Sequence, residues 1–283
     1  MINFENQNYY KKKALTKNAS NYRIDTLNKV HKYAYLDNSE FYRLKNNMLV
    51  EVIQNPGVKF LEKGNINLVI EDLRQVTLKA FGHAKDKAAV YTPDEVMKKN
   101  AIFVDFLAIV RKDEEIVAYT TASFVADNIL YLNASMVSKP FQRYDGLGVL
   151  PHLYIWKKIL VTKLYAEQRK LWIVGRTRNY NVVSMLKHVF ERIMISTEEH
   201  LPEDIKKIFL QTARVTGSNY DPNTGIAKKV YPKGLPAGLD KVPDKYAKLF
   251  MVLGEQDALY VSGKVNFEKV LGILAKKFEK KTT

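Results

Sequence analysis

Three stretches rich in β-branched and aromatic residues follow one another in the middle of the chain. They span residues 101–111, 116–125 and 129–137, and only short polar segments separate them. The first stretch is almost continuously apolar, which is typical of a central strand. Short loops between such stretches are typical of antiparallel hairpins. The pattern therefore predicts an antiparallel meander of three strands.

A helical pattern follows the meander. Apolar residues recur at steps of three and four at Val149, Leu153, Trp156, Leu160 and Leu164. They predict an amphipathic helix over residues 149–168, with Pro151 in the first turn, where a missing N–H is tolerated. A buried strand is predicted at 171–174 and a second helix at 182–193. A strand, a crossover helix and a further strand imply parallel pairing, so the sheet is predicted to be antiparallel first and mixed later.

The first half of the chain is predicted to be mainly helical. Residues 1–55 are polar and rich in Asn, Lys and Tyr, and helices are predicted around 21–35 and 39–53. Pro56-Gly57 marks a boundary, and 58–62 is a candidate first strand. Further helices are predicted over 65–81 and from Thr92-Pro93-Asp94-Glu95, where proline and acidic residues occupy the first turn.

The last part of the chain is predicted to end the sheet. Residues 250–253 and 258–265 are predicted to form a terminal pair of strands. Glycine and proline punctuate the segment before them, so most of the chain between Val215 and Lys248 is predicted to be loop. Such a long loop in a compact domain is usually functional or disordered.

Composition narrows the class of protein. The chain has 283 residues, of which 46% are hydrophobic, and it has no cysteine, which excludes disulfides, thiolate metal sites and a cysteine nucleophile. No apolar stretch reaches the length of a membrane span, and the first residues lack the apolar core of a signal peptide. The five histidines have no ligand-like spacing, so no metal is expected. We expect a soluble, cytoplasmic protein.

A glycine-containing turn separates the meander from the helix that follows it. It comprises Gln142, Arg143, Tyr144, Asp145, Gly146, Leu147 and Gly148. Glycine lets the main chain approach phosphate oxygens, and the next helix presents unpaired N–H groups and the positive end of its dipole. The turn is therefore predicted to bind a pyrophosphate. It is not a P-loop, because no Gly-Lys-Ser/Thr follows, and its two glycines make a poor dinucleotide fingerprint.

The turn and the order of the elements around it resemble the GNAT acetyltransferase superfamily. The family's acyl-CoA loop reads Gln/Arg-x-x-Gly-x-Gly/Ala, and here Arg143, Gly146 and Gly148 have that spacing. The resemblance covers about residues 58–265. It implies an α/β (α+β) fold with a mixed, mostly antiparallel sheet and helices on both faces, to which the N-terminal helical arm is added.

The resemblance also implies a function and a division of the chain. An N-acyltransferase would move an acyl group, typically acetyl, from acyl-CoA to an amine by direct attack in a ternary complex. Residues 57–265 would form the acyltransferase domain, with a loop-rich insertion at about 197–248. Residues 1–56 would form an arm or cap, and residues 266–283 a basic C-terminal helix or tail.

The family resemblance assigns the residues that bind the thioester. Backbone groups of Met136 and Val137 would bond the pantetheine arm of CoA, and the backbone of residues 143–148 would surround the pyrophosphate. Asp145 departs from the family, which often has a basic residue there. After the next strand the family has an asparagine, a small residue three positions on and an aromatic acid seven on. Asn181, Ser184 and His188 have this spacing, and Asn179 is a competing choice for the asparagine.

Three residues are candidates for the acid that protonates the departing thiolate. His188 is the first by spacing, because a histidine can exchange a proton near neutral pH. Tyr154 and Tyr180 are alternative acids. The general base stays open: Glu191 and Asp105 are candidates by neighbourhood only, and family members often use a bound water. Asn133 and Ser135 could line the acceptor side.

The net charge of +15 leaves the partner open. It would attract polyanionic CoA, an acidic acyl carrier protein or nucleic acid. One alternative is therefore an acyltransferase that uses acyl carrier protein as the donor. Another is a GNAT-fold regulatory or nucleic-acid-binding protein without catalytic activity, in which the basic and aromatic segment 9–13 binds the nucleic acid. The amine acceptor is unknown.

Overall fold

The chain forms one mixed sheet with helices on both faces. The computed structural model describes residues 39–43, 48–81, 86, 89–113, 115–142, 147–159, 171–233 and 242–279. Its strands are β1 (Glu40–Arg43), β2 (Met48–Gln54), β3 (Phe106–Lys112), β4 (Glu115–Ala126), β5 (Ile129–Val137), β6 (Trp172–Thr177), β7 (Met194–Ile195), β8 (Tyr220–Asp221), β9 (Ile226–Ala227) and β10 (Ala258–Lys264).

The strand order confirms the predicted fold class. Along the sheet the order is β1-β2-β3-β4-β5-β6-β10-β9-β8, and the short β7 also pairs with β10. The pairing is antiparallel at every described junction except between β5 and β6, which are parallel. The meander predicted over residues 101–137 is confirmed as β3, β4 and β5, and the later change to parallel pairing is confirmed as well.

Helices cover both faces of this sheet. They are α1 (Pro56–Lys63), α2 (Ile66–Phe81), α3 (Asp94–Met97, continued as a π-helix over Lys98–Ile102), α4 (Leu150–Ile159), α5 (Tyr180–Lys187), α6 (Glu203–Thr216), α7 (Asp244–Met251) and α8 (Phe267–Glu279). Single 3₁₀ turns occur at Ala89–Tyr91 and Lys139–Phe141. The helices predicted over 65–81, at Thr92-Pro93-Asp94-Glu95 and over 149–168 are confirmed over the residues described, and the helix predicted at 182–193 is α5, which ends earlier, at Lys187.

Three buried clusters hold the layers together. On one face, α4, α5 and α8 pack against the sheet through residues such as Trp156, Leu186 and Val270. On the opposite face, α2 and α3 cover β2–β4, and α6 covers β5, β6 and β10. Because alternate strand residues face opposite sides, every central strand contributes to both layers. The apolar run of β3 follows from burial on both faces.

The helix predicted over 39–53 is wrong. Residues 40–54 form β1 and β2, and β2 pairs along its whole length with β3. Val50 and Val52 are buried on one face and Ile53 on the other. The β-branched residues favour a strand here, and pairing with β3 satisfies the backbone. The helix predicted at 21–35 lies outside the described residues.

Two predicted strands are helices. Residues 58–62 belong to α1. This helix has Pro56 in its first turn, and Gly64, with a φ of +68°, caps its C-terminus, so the residues at both ends favour a helix. Phe60 of this helix is buried in the core, whereas Val58 and Leu61 are exposed. Residues 250–251 end α7, where Phe250 is buried in the core. The strand predicted at 250–253 is therefore wrong, and β10 alone forms the terminal strand beside β6.

Candidate functional site

The two parallel strands part before they end. Their pairing runs from Ile129 opposite Trp172 to Leu132 opposite Gly175. Beyond Leu132, β5 pairs only with β4, and beyond Gly175, β6 pairs only with β10. A gap therefore opens in the middle of the sheet between residues 133–137 of β5 and the end of β6. This gap is the candidate functional site.

A bulge in β5 explains the gap. Thr121 lies opposite Ala134 and Ala122 opposite Leu132, so Asn133 is an extra residue in β5. A bulge bends its strand and increases the local twist, which turns β5 away from β6. Threonine hydroxyls replace the lost backbone bonds: the Ala134 amide donates to Oγ1 of Thr121 at 3.1 Å, and Oγ1 of Thr120 donates to the Ala134 carbonyl at 2.9 Å.

The last residues of β5 turn one backbone edge towards the gap. The Ser138 amide donates to the Val117 carbonyl of β4 at 2.8 Å, so the backbone groups of Val137, one residue earlier, face the other way. The Val137 carbonyl accepts a hydrogen bond from Nε2 of Gln142 at 3.1 Å, and the same nitrogen donates to the Ala80 carbonyl of α2 at 2.7 Å. Gln142 thus ties the turn to β5 and α2. Met136 packs its side chain against the cluster under α2.

The second half of the glycine turn leads directly into α4. Arg143, Tyr144, Asp145 and Gly146 lie outside the described residues. Leu147 is buried in the core, whereas Gly148 is exposed, and no atom of the described residues lies within 4 Å of the position that a Cβ would occupy there. Within the described part of the chain, nothing fills the space beside Gly148 before the first turn of α4. Pro151 lacks an N–H, so it adds no donor to this helix end.

The asparagine that follows β6 caps the next helix. Oδ1 of Asn179 accepts a hydrogen bond from the Asn181 amide at 2.9 Å, and the Asn179 amide donates to Oγ1 of Thr177 at 2.9 Å. Asn179 therefore fixes the turn between the end of β6 and α5. Asn181 is exposed in the first turn of α5. Of these two candidates, Asn179 lies closer to the end of β6 along the chain.

His188 lies at the other end of α5 from the gap. It is exposed and follows the last helical residue, Lys187. Phe190, two residues later, bridges Val265, whose amide donates to the Leu171 carbonyl just before β6 begins. The helix runs back along β6, so its end lies beside the start of that strand. The structure does not bring His188 to the gap, and exposed Glu191 lies at the same end.

The two candidate tyrosines occupy different places. Tyr154 of α4 is fully buried, and its ring stacks on Tyr42 of β1 with centroids 4.3 Å apart. It therefore lies beneath the first strands of the sheet, away from the gap. Tyr180 is the first residue of α5, directly after β6, and its ring packs on Tyr246 of α7 with centroids 5.4 Å apart. Of the three acid candidates, only Tyr180 lies near the end of β6, where the gap opens.

Asp105 has a structural contact. Its Oδ2 accepts a hydrogen bond from the Phe124 amide at 2.6 Å, and its carbonyl accepts one from the Asn55 amide at 2.8 Å. Phe124 lies opposite Leu130, near the start of β5. The gap opens at the other end of β5, so the structure does not bring Asp105 to it.

Arginine and tyrosine side chains, which the sequence analysis missed, gather where β6 ends. Arg176 donates through Nη1 to Oγ of Ser218, and Arg178 is only 8% exposed. The hydroxyl of Tyr231 donates to the Arg176 carbonyl at 3.5 Å. Tyr91, from the connection between α2 and α3, lies within electrostatic range of both guanidinium groups. The Arg-x-Arg pair after a buried strand was visible in the sequence, but nothing in the sequence linked Tyr91 or Tyr231 to it.

Burial keeps these tyrosines neutral. It raises the pKa of Tyr131, on β5, to about 12, although the positive charge of Arg176 opposes this rise. Burial likewise raises the pKa of Tyr91 and of Tyr231, against the same opposing effect of Arg176 and Arg178. Each hydroxyl is therefore a hydrogen-bond donor at neutral pH, and none is a base.

Several solved structures are similar to this chain. One is N-acetylglutamate synthase from Neisseria gonorrhoeae complexed with coenzyme A and N-acetyl-glutamate, at 10% identity and a TM-score of 0.36 over 77% of this chain and 35% of that chain. This chain thus spans about a third of the length of that synthase. Another is the ribosomal-protein-S18-alanine N-acetyltransferase from Escherichia coli, at 10% identity and a TM-score of 0.34 over 77% and 94% of the two chains.

A third is the ribosomal-protein-S5-alanine acetyltransferase from Vibrio fischeri, at 11% identity and a TM-score of 0.34 over 80% of this chain and 97% of that one. No protein-family model matches the sequence, and no curated protein matches it either.

Two further observations concern the part of the chain that the structure describes. None of its helices is both long and apolar enough to cross a membrane. No three His, Asp or Glu side chains within it are grouped so that they could hold a metal ion.

Proposed function

We propose that this protein is an N-acyltransferase that moves an acyl group from a CoA thioester to an amine. The gap between β5 and β6 is the observation that supports this proposal. Splayed strands expose backbone donors and acceptors inside a sheet, where an extended amide-containing chain can bond to them as an added strand would. The pantetheine arm of CoA is such a chain, and the edge at Val137 faces this gap.

The turn after β5 would hold the pyrophosphate of CoA. Gly148 precedes the first turn of α4, and no described residue fills the space at its Cβ position. The unpaired N–H groups of the helix start and its dipole both favour an anion. In this proposal Arg143 and the backbone from Tyr144 to Gly146 complete the contacts with the phosphates. The charge of +15 would add long-range attraction for CoA.

The transfer would proceed by direct attack. The neutral amine nitrogen forms a bond to the thioester carbonyl carbon, the C–S bond breaks, and the CoA sulfur leaves with its electron pair. The amine gives up one proton, and the sulfur gains one. Tyr180 is the acid that the geometry favours for the sulfur, because it follows β6 at the end where the gap opens. The amine loses its proton to a bound water in this proposal.

Calorimetry with two variants of Gly148 tests the thioester site. Gly148→Glu should abolish binding of acetyl-CoA, because it adds a negative charge beside the pyrophosphate. Gly148→Ala is the matched control and should bind normally, because a Cβ there meets no atom of the described residues within 4 Å. Equal affinity of both variants and wild type for acetyl-CoA and for a medium-chain acyl-CoA would refute this location.

Turnover can be followed by titrating the CoA thiol that is released. The chain has no cysteine, so a thiol reagent reports CoA alone. Acyl carrier protein loaded with the same acyl group is the competing donor, and faster release from it would identify the carrier as the natural donor. Salt-sensitive binding of single-stranded nucleic acid, without binding of any thioester, would instead favour a regulatory protein.

A further inference from the structure

Arg178 is a buried cation without a counter-ion among the residues that the structure describes. Its side chain is 8% exposed, and Nε and Nη1 are both buried without a hydrogen-bond partner there. A buried charge is strongly unfavourable unless it is paired and hydrogen-bonded. The two donors therefore indicate a ligand with acceptor atoms and negative charge.

The groups around Arg178 suit the same ligand. Arg176, two residues earlier, brings a second guanidinium, which Ser218 orients through the bond to Nη1. The buried hydroxyl of Tyr91 also has no partner among the described residues. A tyrosine hydroxyl and guanidinium N–H groups are donors that carboxylates and phosphates accept. Together they form a donor-rich site with net positive charge.

This site adjoins the gap. Arg176 lies on β6 just after Gly175, the last residue that pairs with β5. On the β5 side, Oδ1 of Asn133 is buried and has no partner among the described residues. An amide oxygen accepts a hydrogen bond from an amine. The end of β6 thus offers donors for an anion, and the bulge of β5 offers an acceptor for an amine.

We propose that Arg178, Arg176 and Tyr91 bind an anionic group, a carboxylate or a phosphate, of the amine that accepts the acyl group. This inference rests on the proposed function, since it names the class of acceptor for that reaction. The acceptor is then a small amine with its own negative charge. A neutral or polycationic amine would leave the arginines unpaired and would bind less well.

Pairs of amines that differ only in the anionic group test the proposal. One pair is an amino acid and its carboxamide, and the other is phosphoethanolamine and ethanolamine. Within at least one pair, kcat/KM of wild type should be about tenfold higher or more for the anionic member, because hydrogen bonds to charged groups are the stronger ones. The pair that shows this preference reveals whether the site binds a carboxylate or a phosphate. Equal values within both pairs would overturn the proposal.

Arg178→Met separates a binding role from a structural role. Removal of an unpaired buried charge should leave the unfolding temperature unchanged or raise it, while the preference for the anionic amine is lost. Arg178→Lys should keep part of the preference, because it retains the charge without the planar fork. A variant that keeps the full preference, or that unfolds at a much lower temperature, would show that Arg178 serves the fold instead.

Arg111 provides the matched control. It is also buried, at 5% exposure, but it lies 3.6 Å from the carboxylate of Glu51. Arg111→Met should lower the unfolding temperature, because it leaves the Glu51 charge buried without this partner, and it should not change the preference between paired amines. A loss of the preference in this variant would contradict a specific role for Arg178.

A second readout is independent of acyl transfer. Wild type and Arg178→Met are titrated with inorganic phosphate and with acetate while thermal unfolding is recorded. One anion should stabilise wild type and not the variant, whereas both proteins should bind acetyl-CoA equally by calorimetry. Failure of acetyl-CoA to bind wild type would refute the proposed function, and with it the acceptor role of the anion site, but not anion binding at Arg178. Absence of any Arg178-dependent anion effect would refute this inference alone.

Discussion

Nε2 of His152, on α4, lies 2.8 Å from the hydroxyl oxygen of Thr120, on β4. That hydroxyl donates its own hydrogen to the Ala134 carbonyl at 2.9 Å, and the backbone of Gly148 also forms a hydrogen bond with the imidazole. A chain of bonds therefore links the first turn of α4 to the bulge of β5. The ring is 1% exposed, and burial lowers the pKa of His152 to about 4.

This histidine should make stability depend on pH between about 4 and 6.5. In the unfolded chain its pKa is about 6.5, so the unfolded state binds more protons than the folded state within this window. Stability should therefore fall as pH decreases from 6.5 to 4, by on the order of 3 kcal/mol at most from this group. Urea unfolding of wild type at several pH values measures the slope.

His152→Gln provides the comparison for that slope. Glutamine keeps a donor for Thr120 but does not titrate, so the difference in unfolding free energy between the two proteins should shrink as the pH decreases towards 4. Carboxylates contribute equally to both proteins, and their effect cancels in the difference. A difference that does not change with pH would contradict a buried neutral imidazole.

Gly225 should be intolerant of any side chain. Its φ is +71°, and a Cβ at this position would lie 1.8 Å from the carbonyl oxygen of Ser196. Backbone atoms cannot give way as a flexible side chain can. Gly225→Ala should therefore lower the free energy of unfolding by about 3 kcal/mol or more, from strain and overlap together. Denaturant unfolding checks this value.

Gly217 is the matched control for Gly225. It has a similar φ of +66°, but no atom lies within 4 Å of its Cβ position. Gly217→Ala should lower the unfolding free energy by only about 1–2 kcal/mol, the strain of the left-handed conformation itself. Similar losses in the two variants would show that the contact with Ser196 has no effect.

The middle of the sheet could be predicted from sequence because its signals are local. Alternation and short polar turns define the meander, and the glycine turn marks where its last strand is followed by a helix. β1 and β2 were missed because apolar residues 48–53 fit a helix or a strand, and only pairing with β3 decides between them. The bulge at Asn133 was not predictable, since it depends on how β4 and β5 pair.

The catalytic candidates illustrate the same limit. Spacing along one helix selected His188, but the length and direction of α5 decide which of its ends reaches the gap. Arg176 and Tyr91 are 85 positions apart in sequence, as their numbers show, and the fold brings them into electrostatic range. Local patterns therefore predicted the strands on either side of the gap, whereas tertiary contacts define the side chains around it.

Variants of Tyr180 and His188 show which of the two residues is the acid. If Tyr180 protonates the departing sulfur, Tyr180→Phe should lower kcat about a hundredfold and leave the affinity for acetyl-CoA nearly unchanged, because the proton is needed only in the transition state. His188→Ala should then turn over like wild type. Steady-state kinetics with the released CoA thiol, together with calorimetry, measures both properties. The reverse result would restore His188 as the acid.

Gln142 should position the turn that is proposed to bind the thioester. Its Nε2 bonds to carbonyls at the end of β5 and of α2, at 3.1 and 2.7 Å, and it is the residue just before Arg143. Gln142→Ala removes both bonds that anchor the start of the turn, and the affinity for acetyl-CoA should therefore fall about tenfold. The side chain is exposed, and the unfolding temperature should change little.

Gln75→Ala, which removes an exposed bond to Glu71 at 2.8 Å, should leave the affinity unchanged. Calorimetry of the three proteins decides, and an unchanged affinity of Gln142→Ala would separate this anchor from thioester binding.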